Sequence, residues 1–201
     1  MKPKVKGNSY KATVVGTSNV GKTSLLTRIL SGSFSGNTET TTSVHIHSIT
    51  LTSSSEQQVN VNFWDTAGQE RFRGLGSLYY QSAVFCVAVF DASQLDTFTT
   101  MKEYISMYEE HCHVDPRVVI AGNKLDLVQD KEKLGSFFEW AEEHGYAMFL
   151  TSALTGDGIE DLKAHIADAL VQKMETVVSE PDNAKMSITI SDEPIKGSSC
   201  C

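Results

Sequence analysis

The octapeptide Gly16-Thr17-Ser18-Asn19-Val20-Gly21-Lys22-Thr23 limits what this chain can fold into more than any other feature. It fits the pattern GxxxxGK[ST], and its flanks supply the context that pattern needs. Tyr10–Val15 reads as a strand, and Lys22–Leu30 carries Leu25, Leu26, Ile29 and Leu30 at helical spacing. Gly16 and Gly21 let the backbone wrap tightly, turning successive N–H groups toward a phosphate. Lys22 adds a positive point charge for the outer phosphates, and the Thr23 hydroxyl is a hard oxygen suited to Mg2+. The helix beginning here aims its positive end at the same anion.

Downstream, short β-rich apolar stretches alternate with amphipathic ones, the pattern of a mostly parallel sheet with helices on both faces. Val44–Leu51 and Gln58–Trp64 alternate about the Ser-rich turn Thr52–Glu56 and read as a hairpin. Ala83–Phe90 and Arg117–Ala121 suit buried parallel strands, and Ala147–Leu150 a last one. Helical period marks Phe98–His111, Lys131–His144 and Ile159–Gln172. The expected organisation is a short extension over 1–9, one α/β domain over 10–172 and a flexible tail over 173–201, where Ser, Asp, Glu and Pro dominate.

Composition narrows the function classes. With 40% hydrophobic and 21% charged residues the chain can build a core. Its longest apolar run falls far short of the roughly 20 residues a membrane-spanning helix needs, and no signal-peptide core follows Met1. A net charge of −8 disfavours nucleic-acid binding. Cys86, Cys112, Cys200 and Cys201 make no CxxC spacing, so a reducing intracellular compartment is expected.

Two further motifs complete a nucleotide site. Asp65-Thr66-Ala67-Gly68-Gln69 follows the third strand. A carboxylate there can hold a metal, Gly68 can offer an unobstructed backbone N–H to a terminal phosphate, and the Gln69 amide can orient an attacking water. Asn123-Lys124-Leu125-Asp126 follows the fifth strand, at the sheet edge where nucleotides bind in such folds. An ionised Asp126 accepts only, so it suits the N1–H and 2-amino donors of guanine and leaves adenine unmatched. Ser152-Ala153 places backbone N–H groups where the base O6 could accept one.

GTSNVGKT, WDTAGQE, NKLD and TSA, in this order and at these distances, resemble the Ras superfamily of small GTPases over about Tyr10 to Gln172. Trp64–Arg73, Tyr79-Tyr80 and the terminal Cys200-Cys201 resemble its Rab branch. The resemblance implies a P-loop NTPase of Ras-like fold, with a six-stranded sheet, that binds GTP with Mg2+ and hydrolyses it to GDP in vesicle and membrane trafficking. It places Ser24 beside the phosphate loop and Phe34 against the guanine. It makes Thr41 the residue that senses the γ-phosphate, with Thr23, Thr41 and Asp65 around Mg2+, and it gives the base Asn123, Lys124, Asp126, Ser152, Ala153 and Leu154. Ile46, Trp64 and Tyr79 match the effector surface, and Gln69 the catalytic position. Cys200 and Cys201 match a double geranylgeranylation site, which would hold the protein at the cytosolic face of intracellular membranes. The implied partners are an exchange factor, a GTPase-activating protein, a GDP-dissociation inhibitor, the prenylation machinery and effectors.

Several positions depart from the Rab pattern. Thr42-Ser43 stands for Ile-Gly, Ile46 for an aromatic, Gln81-Ser82-Ala83 for Arg-Gly-Ala, and Leu154 for the Lys that covers guanine. His45 with His47, and His111-Cys112-His113, have metal-like spacing but no third and fourth ligand, and read as solvated histidines. Two rival functions stay open: an ATP-dependent P-loop enzyme, which Asp126 argues against, and a nucleotide-loaded interaction module with little hydrolysis.

Overall fold

A computed structural model describes residues 9–34, 36, 41, 43–65, 79–112, 115–130 and 134–179, with backbone alone for 175–179. Among these residues six strands form one sheet: β1 (Ser9–Val15), β2 (His45–Thr52), β3 (Gln58–Asp65), β4 (Phe85–Asp91), β5 (Val118–Asn123) and β6 (Ala147–Leu150). Their spatial order is β2-β3-β1-β4-β5-β6. β2 and β3 pair antiparallel through a turn in which Ser53 N–H donates to Gln57 O, and the other neighbours are parallel. The α-helices are α1 (Lys22–Ser31), α2 (Leu95–His111), α3 (Gly135–Glu143) and α4 (Ile159–Ser179).

Why helices cover both faces is visible in β4, whose seven residues are all buried. A strand covered on both sides has no polar side to show, so it reads as a continuous apolar run. Phe85, Val87 and Val89 point into a core with Leu25, Leu26 and Ile29 of α1 and Leu162, Ile166 and Leu170 of α4. The intervening Cys86, Ala88 and Phe90 enter a second core with Phe98, Met101, Ile105 and Tyr108 of α2 and Phe137 of α3. Phe90, Phe98 and Phe137 meet ring to ring, with centroids 4.4 to 5.1 Å apart. Neither Cys86 nor Cys112 is in a disulfide.

Element ends differ from the periodicity in instructive ways. α2 starts at Leu95 rather than Phe98, because a polar first turn breaks the apolar pattern while Asp96 favours the helix's positive end. β5 reaches Asn123, which puts that side chain on the rim of the sheet. α3 is shorter than the period over Lys131–His144, and residues 131–133 lie outside those described. α4 runs to Ser179, past the expected end at Gln172. Lys173 hides the reason: it is 7% exposed, and its Nζ donates to Asp115 O at 2.7 Å. A lysine that buries its stem continues an apolar face while scoring as polar. Met174 packs on the first core, so the folded unit includes residues first assigned to the tail. At the same helix, Asp168 accepts from both Ser54 N and Ser54 Oγ at 2.7 Å, fastening the β2–β3 hairpin.

The fold makes a sharp contrast between two phenylalanines. Phe90→Ala should lower stability by about 3–5 kcal/mol, because it empties the centre of the ring cluster. Phe138→Ala, at a side chain 41% exposed, should cost under about 1 kcal/mol. Urea unfolding of both variants reads the difference, and equal losses would show that the cluster is not the core it is drawn as.

Candidate functional site

The C-terminal ends of the parallel strands converge on one edge of the sheet, where ligands of open α/β folds bind. β1 delivers residues 16–21, β3 ends on Asp65, β4 on Asp91, β5 on Asn123, and β6 leads into 151–154. A cleft of about 450 Å³ opens there. It is lined by Ser18, Asn19, Gly21, Lys22, Thr23, Ser24, Phe34, Thr41, Asn123, Lys124, Asp126, Ala153 and Leu154, all expected from the sequence, and by Leu127, which was not. Gly16, Val20 and Ser152 do not line it. They build the wall behind, where Val20 and Ser152 are buried.

The glycines of the loop answer to two close approaches. Gly16 has φ +140°, and a Cβ on it would sit 2.2 Å from Val89 O, so the loop lies directly on β4. Gly21, at φ +92°, would bring a Cβ 2.5 Å from the Asn123 amide nitrogen. No side chain caps α1 at Gly21, which leaves first-turn N–H donors for an anion.

Charge is concentrated at the phosphate end. Lys22 is 6% exposed and donates to Gly16 O and Thr17 O at 2.9 Å each, so the loop's own carbonyls hold the ammonium. Burial lowers its pKa to about 8, with Asp65 pulling the other way. Asp65 has no exposed surface, and burial raises its pKa; Thr23, Lys22, His47 and His45 counter that in part. Thr23 Oγ1 donates to Asp65 Oδ2 at 2.6 Å and lies 2.8 Å from Thr41 Oγ1. Asp65 Oδ1 is buried with no hydrogen-bond partner. Two hydroxyls and a carboxylate with an oxygen to spare are a hard-oxygen set, which fits Mg2+. Among the described residues no group of three or more His, Cys, Asp or Glu side chains is placed to hold a metal. His45 instead meets Ser43 Oγ through Nε2 at 3.1 Å.

At the other end, Asp126 accepts from Ser152 Oγ. Asn123 spends its amide inside the protein: Nδ2 donates to Val20 O at 3.0 Å, and Oδ1 accepts from Ala153 N at 3.1 Å. That one side chain joins the phosphate loop to the segment after β6. Lys124 takes a left-handed backbone with φ +62°. Its Nζ lies 2.8 Å from the buried Asp91 Oδ2, an ion pair off hydrogen-bond alignment. Asp91 was missed in the sequence, although it ends an apolar strand as Asp65 does, which is the signal that identifies Asp65. Arg28 was missed too; its guanidinium donates to Ala153 O and Leu154 O, and nothing in its local pattern marks it.

Ile46 and Trp64 face each other across β2 and β3. Ile46 is 55% exposed, and Lys11 Nζ stands 3.9 Å from the centre of the half-buried Trp64 ring. Tyr79 is half-buried against the second core. Gly68, Gln69, Cys200 and Cys201 lie outside the described residues.

The sequence matches the model of the Ras family over residues 11–172. It is 32% identical over 174 residues to mouse Ras-related protein Rab-26, covering 86% of this chain and 67% of that protein. Human Ras-related protein Rab-21 is 31% identical, covering 96% and 91%. Ras-related protein Rab-10 of Diplobatis ommata is 30% identical, covering 96% and 95%.

Lys22 gives the site a titration signature. With a pKa near 8, part of the ligand-free protein has lost that proton at pH 8, and a polyphosphate anion restores it. Nucleotide binding in EDTA should then take up on the order of half a proton at pH 8 and far less at pH 6.5. Titration calorimetry in buffers of different ionisation enthalpy measures this. Identical heats in both buffers at pH 8 would place the Lys22 pKa well above 8.

Proposed function

The chain belongs to the Ras family, a Rab-type small GTPase that binds GTP and GDP, hydrolyses GTP and serves vesicle trafficking, and from that premise we propose how its own residues do the work. One observation supports the assignment most: a single cleft has Lys22, Thr23 and Thr41 at one end, with the buried Asp65 bonded to Thr23 behind them, and Asp126 at the other, so one nucleotide would span both.

The loop from Gly16 to Ser24 wraps the phosphates, with Lys22 against the outer ones. Thr23, Thr41 and Asp65 hold Mg2+. When bound, the ion neutralises charge on the outer phosphates. Asp126 accepts from guanine N1–H and the 2-amino group, Lys124 and Leu154 cover the ring, and Phe34 closes on it from the side. Asn123 keeps Ala153 within reach of the base. Gln69 orients the attacking water, while Thr41 and Gly68 contact the γ-phosphate. Loss of that phosphate releases both segments, so order encodes the nucleotide.

Magnitudes explain why regulators are needed. Figures for Ras, about 4 × 10⁻⁴ s⁻¹ unaided, correspond to a barrier of about 22 kcal/mol. A GTPase-activating protein adding about 10⁵-fold removes roughly 7 kcal/mol, by charge supplied in trans. An exchange factor reloads GTP, and effectors read the ordered face formed by Ile46, Trp64 and Tyr79. Prenyl groups on Cys200 and Cys201 anchor the chain to a cytosolic membrane face, and a GDP-dissociation inhibitor extracts it. The folded unit spans residues 9–179, from β1 to α4, with the residues beyond it serving as a tether.

Two variants test the site. Asp126→Asn should weaken GDP by about 100-fold or more and improve binding of xanthosine diphosphate, whose 2-oxo group matches an amide donor. Competition against labelled GDP reads both, and ATP displacing the label as well as GTP does would defeat the guanine assignment. Gln69→Leu should slow single-turnover GTP hydrolysis by about tenfold or more without weakening GDP. An unchanged rate would remove Gln69 from the mechanism.

A further inference from the structure

Outside the cleft, Arg28 makes a contact set that no feature of the nucleotide site requires of it. It sits in the last turn of α1, the helix whose first residues are Lys22 and Thr23. Its Nε donates to Ala153 O at 2.7 Å, Nη2 donates to Leu154 O, and Nη1 donates to Gly32 O at 2.7 Å. Two of those carbonyls are 125 and 126 residues away in sequence. The third belongs to the residue that ends α1, held at φ +67° with its own N–H on Arg28 O. A short step beyond Gly32 lies Phe34, which lines the cleft.

We propose that Arg28 is a positioning residue for base discrimination, a clamp that holds the Ala153–Leu154 segment against α1 and so keeps Asp126 set for guanine. This rests on the guanine reading of the cleft. The geometry needs an arginine. Three separate nitrogens of one rigid plane serve three carbonyls at once, whereas a lysine ammonium offers a single point. These bonds carry a full charge on the donor and are stronger than neutral ones.

The consequence for specificity follows through one more bond. Ser152, adjacent to the clamped segment, is buried and donates from Oγ to Asp126. The same Oγ accepts from Thr155 N at 3.1 Å. The carboxylate that reads the base is thus oriented by a turn whose outer side Arg28 fixes. With the clamp gone, Asn123 still holds Ala153 N, so the turn stays folded but loosens on its outer side. A loosened Asp126 loses most on the ligand it pairs with twice. Guanine offers N1–H and the 2-amino group, while hypoxanthine offers N1–H alone. The phosphate end, built on Lys22, Thr23, Thr41 and Asp65, shares no contact with the guanidinium.

The test uses the full chain with Arg28→Lys and Arg28→Ala, the first keeping the charge and most of the stem. Dissociation of labelled GDP, dissociation constants for GDP and inosine diphosphate, and the acceleration of release by EDTA are measured on each. The expected result is GDP release about tenfold faster in both variants, a smaller preference for GDP over inosine diphosphate, and an unchanged EDTA effect. Wild-type release and preference in Arg28→Lys would overturn the proposal. Equal weakening of both nucleotides would also overturn it, because it reports lost fold stability rather than lost discrimination. A wild-type chain that binds no GDP would sink the guanine reading itself and the clamp with it, whereas a wild-type-like variant sinks the clamp alone.

Discussion

The site depends on a cation and a carboxylate held almost wholly out of water without a full set of partners. Lys22 is 6% exposed and Asp65 not at all, and Asp65 keeps one oxygen unpaired. Burying such groups is unfavourable unless something compensates them. The loop carbonyls at Gly16 and Thr17 and the Thr23 hydroxyl compensate in part. What remains is a standing demand for an anion at the ammonium and a cation at the carboxylate. A nucleotide polyphosphate would meet the first demand and the proposed Mg2+ the second, so the free energy lost in folding these charges inward would return as binding.

The fold supports that demand because its five parallel strands all end at the site. Parallel pairing through β3, β1, β4, β5 and β6 lines up the C-terminal ends of five segments. Each end then contributes a short run of residues to the rim. Asn123 joins the phosphate loop to Ala153 through two side-chain-to-backbone bonds, and the Asp91 carboxylate pairs with Lys124 Nζ beside them. Backbone acceptors suit this purpose, since their positions are set by the sheet rather than by rotamers. The result is a rigid rim carried by a sheet packed on both faces.

How legible this was depended on whether a residue's role was local. The phosphate loop announces itself, because tight wrapping needs glycines at fixed spacing and the charge and hydroxyl sit next to them. Strand β4 was legible because burial on two faces leaves no polar residue to confuse the pattern. Arg28 was not legible: its partners lie across more than a hundred residues of chain, and on its own helix it looks like any solvated arginine. Lys173 misled in the opposite sense, since its charge concealed an apolar stem that continues α4. Asp91 was overlooked although the rule that identifies Asp65 applies to it. Sequence carries the periodic and the contiguous, and long-range hydrogen bonds to backbone carbonyls leave no residue pattern behind.

The described positions where this chain departs from Rab-like patterns, Ser43, Ile46, Gln81, Ser82 and Leu154, are exposed and lie outside the framework. Leu154 is 52% exposed on the rim of the cleft and offers an apolar flank in place of a lysine stem and charge. A base seated as proposed would bury that flank, so the hydrophobic part of the contact would survive while the electrostatic part is lost. The loop carrying it is then left to backbone anchoring, which Arg28 provides through the Leu154 carbonyl regardless of the side chain there. Ile46 is similar in kind. It stays apolar beside Trp64 but gives up ring-to-ring geometry, worth about 0.5–1.5 kcal/mol in an aromatic pair. If effectors dock on the Ile46–Trp64 face as proposed, they would draw more on shape than on stacking. Buried charge and exposed apolar area therefore meet at one end of the β2–β3 pair, where Asp65 follows Trp64 and Ile46 stands opposite Trp64.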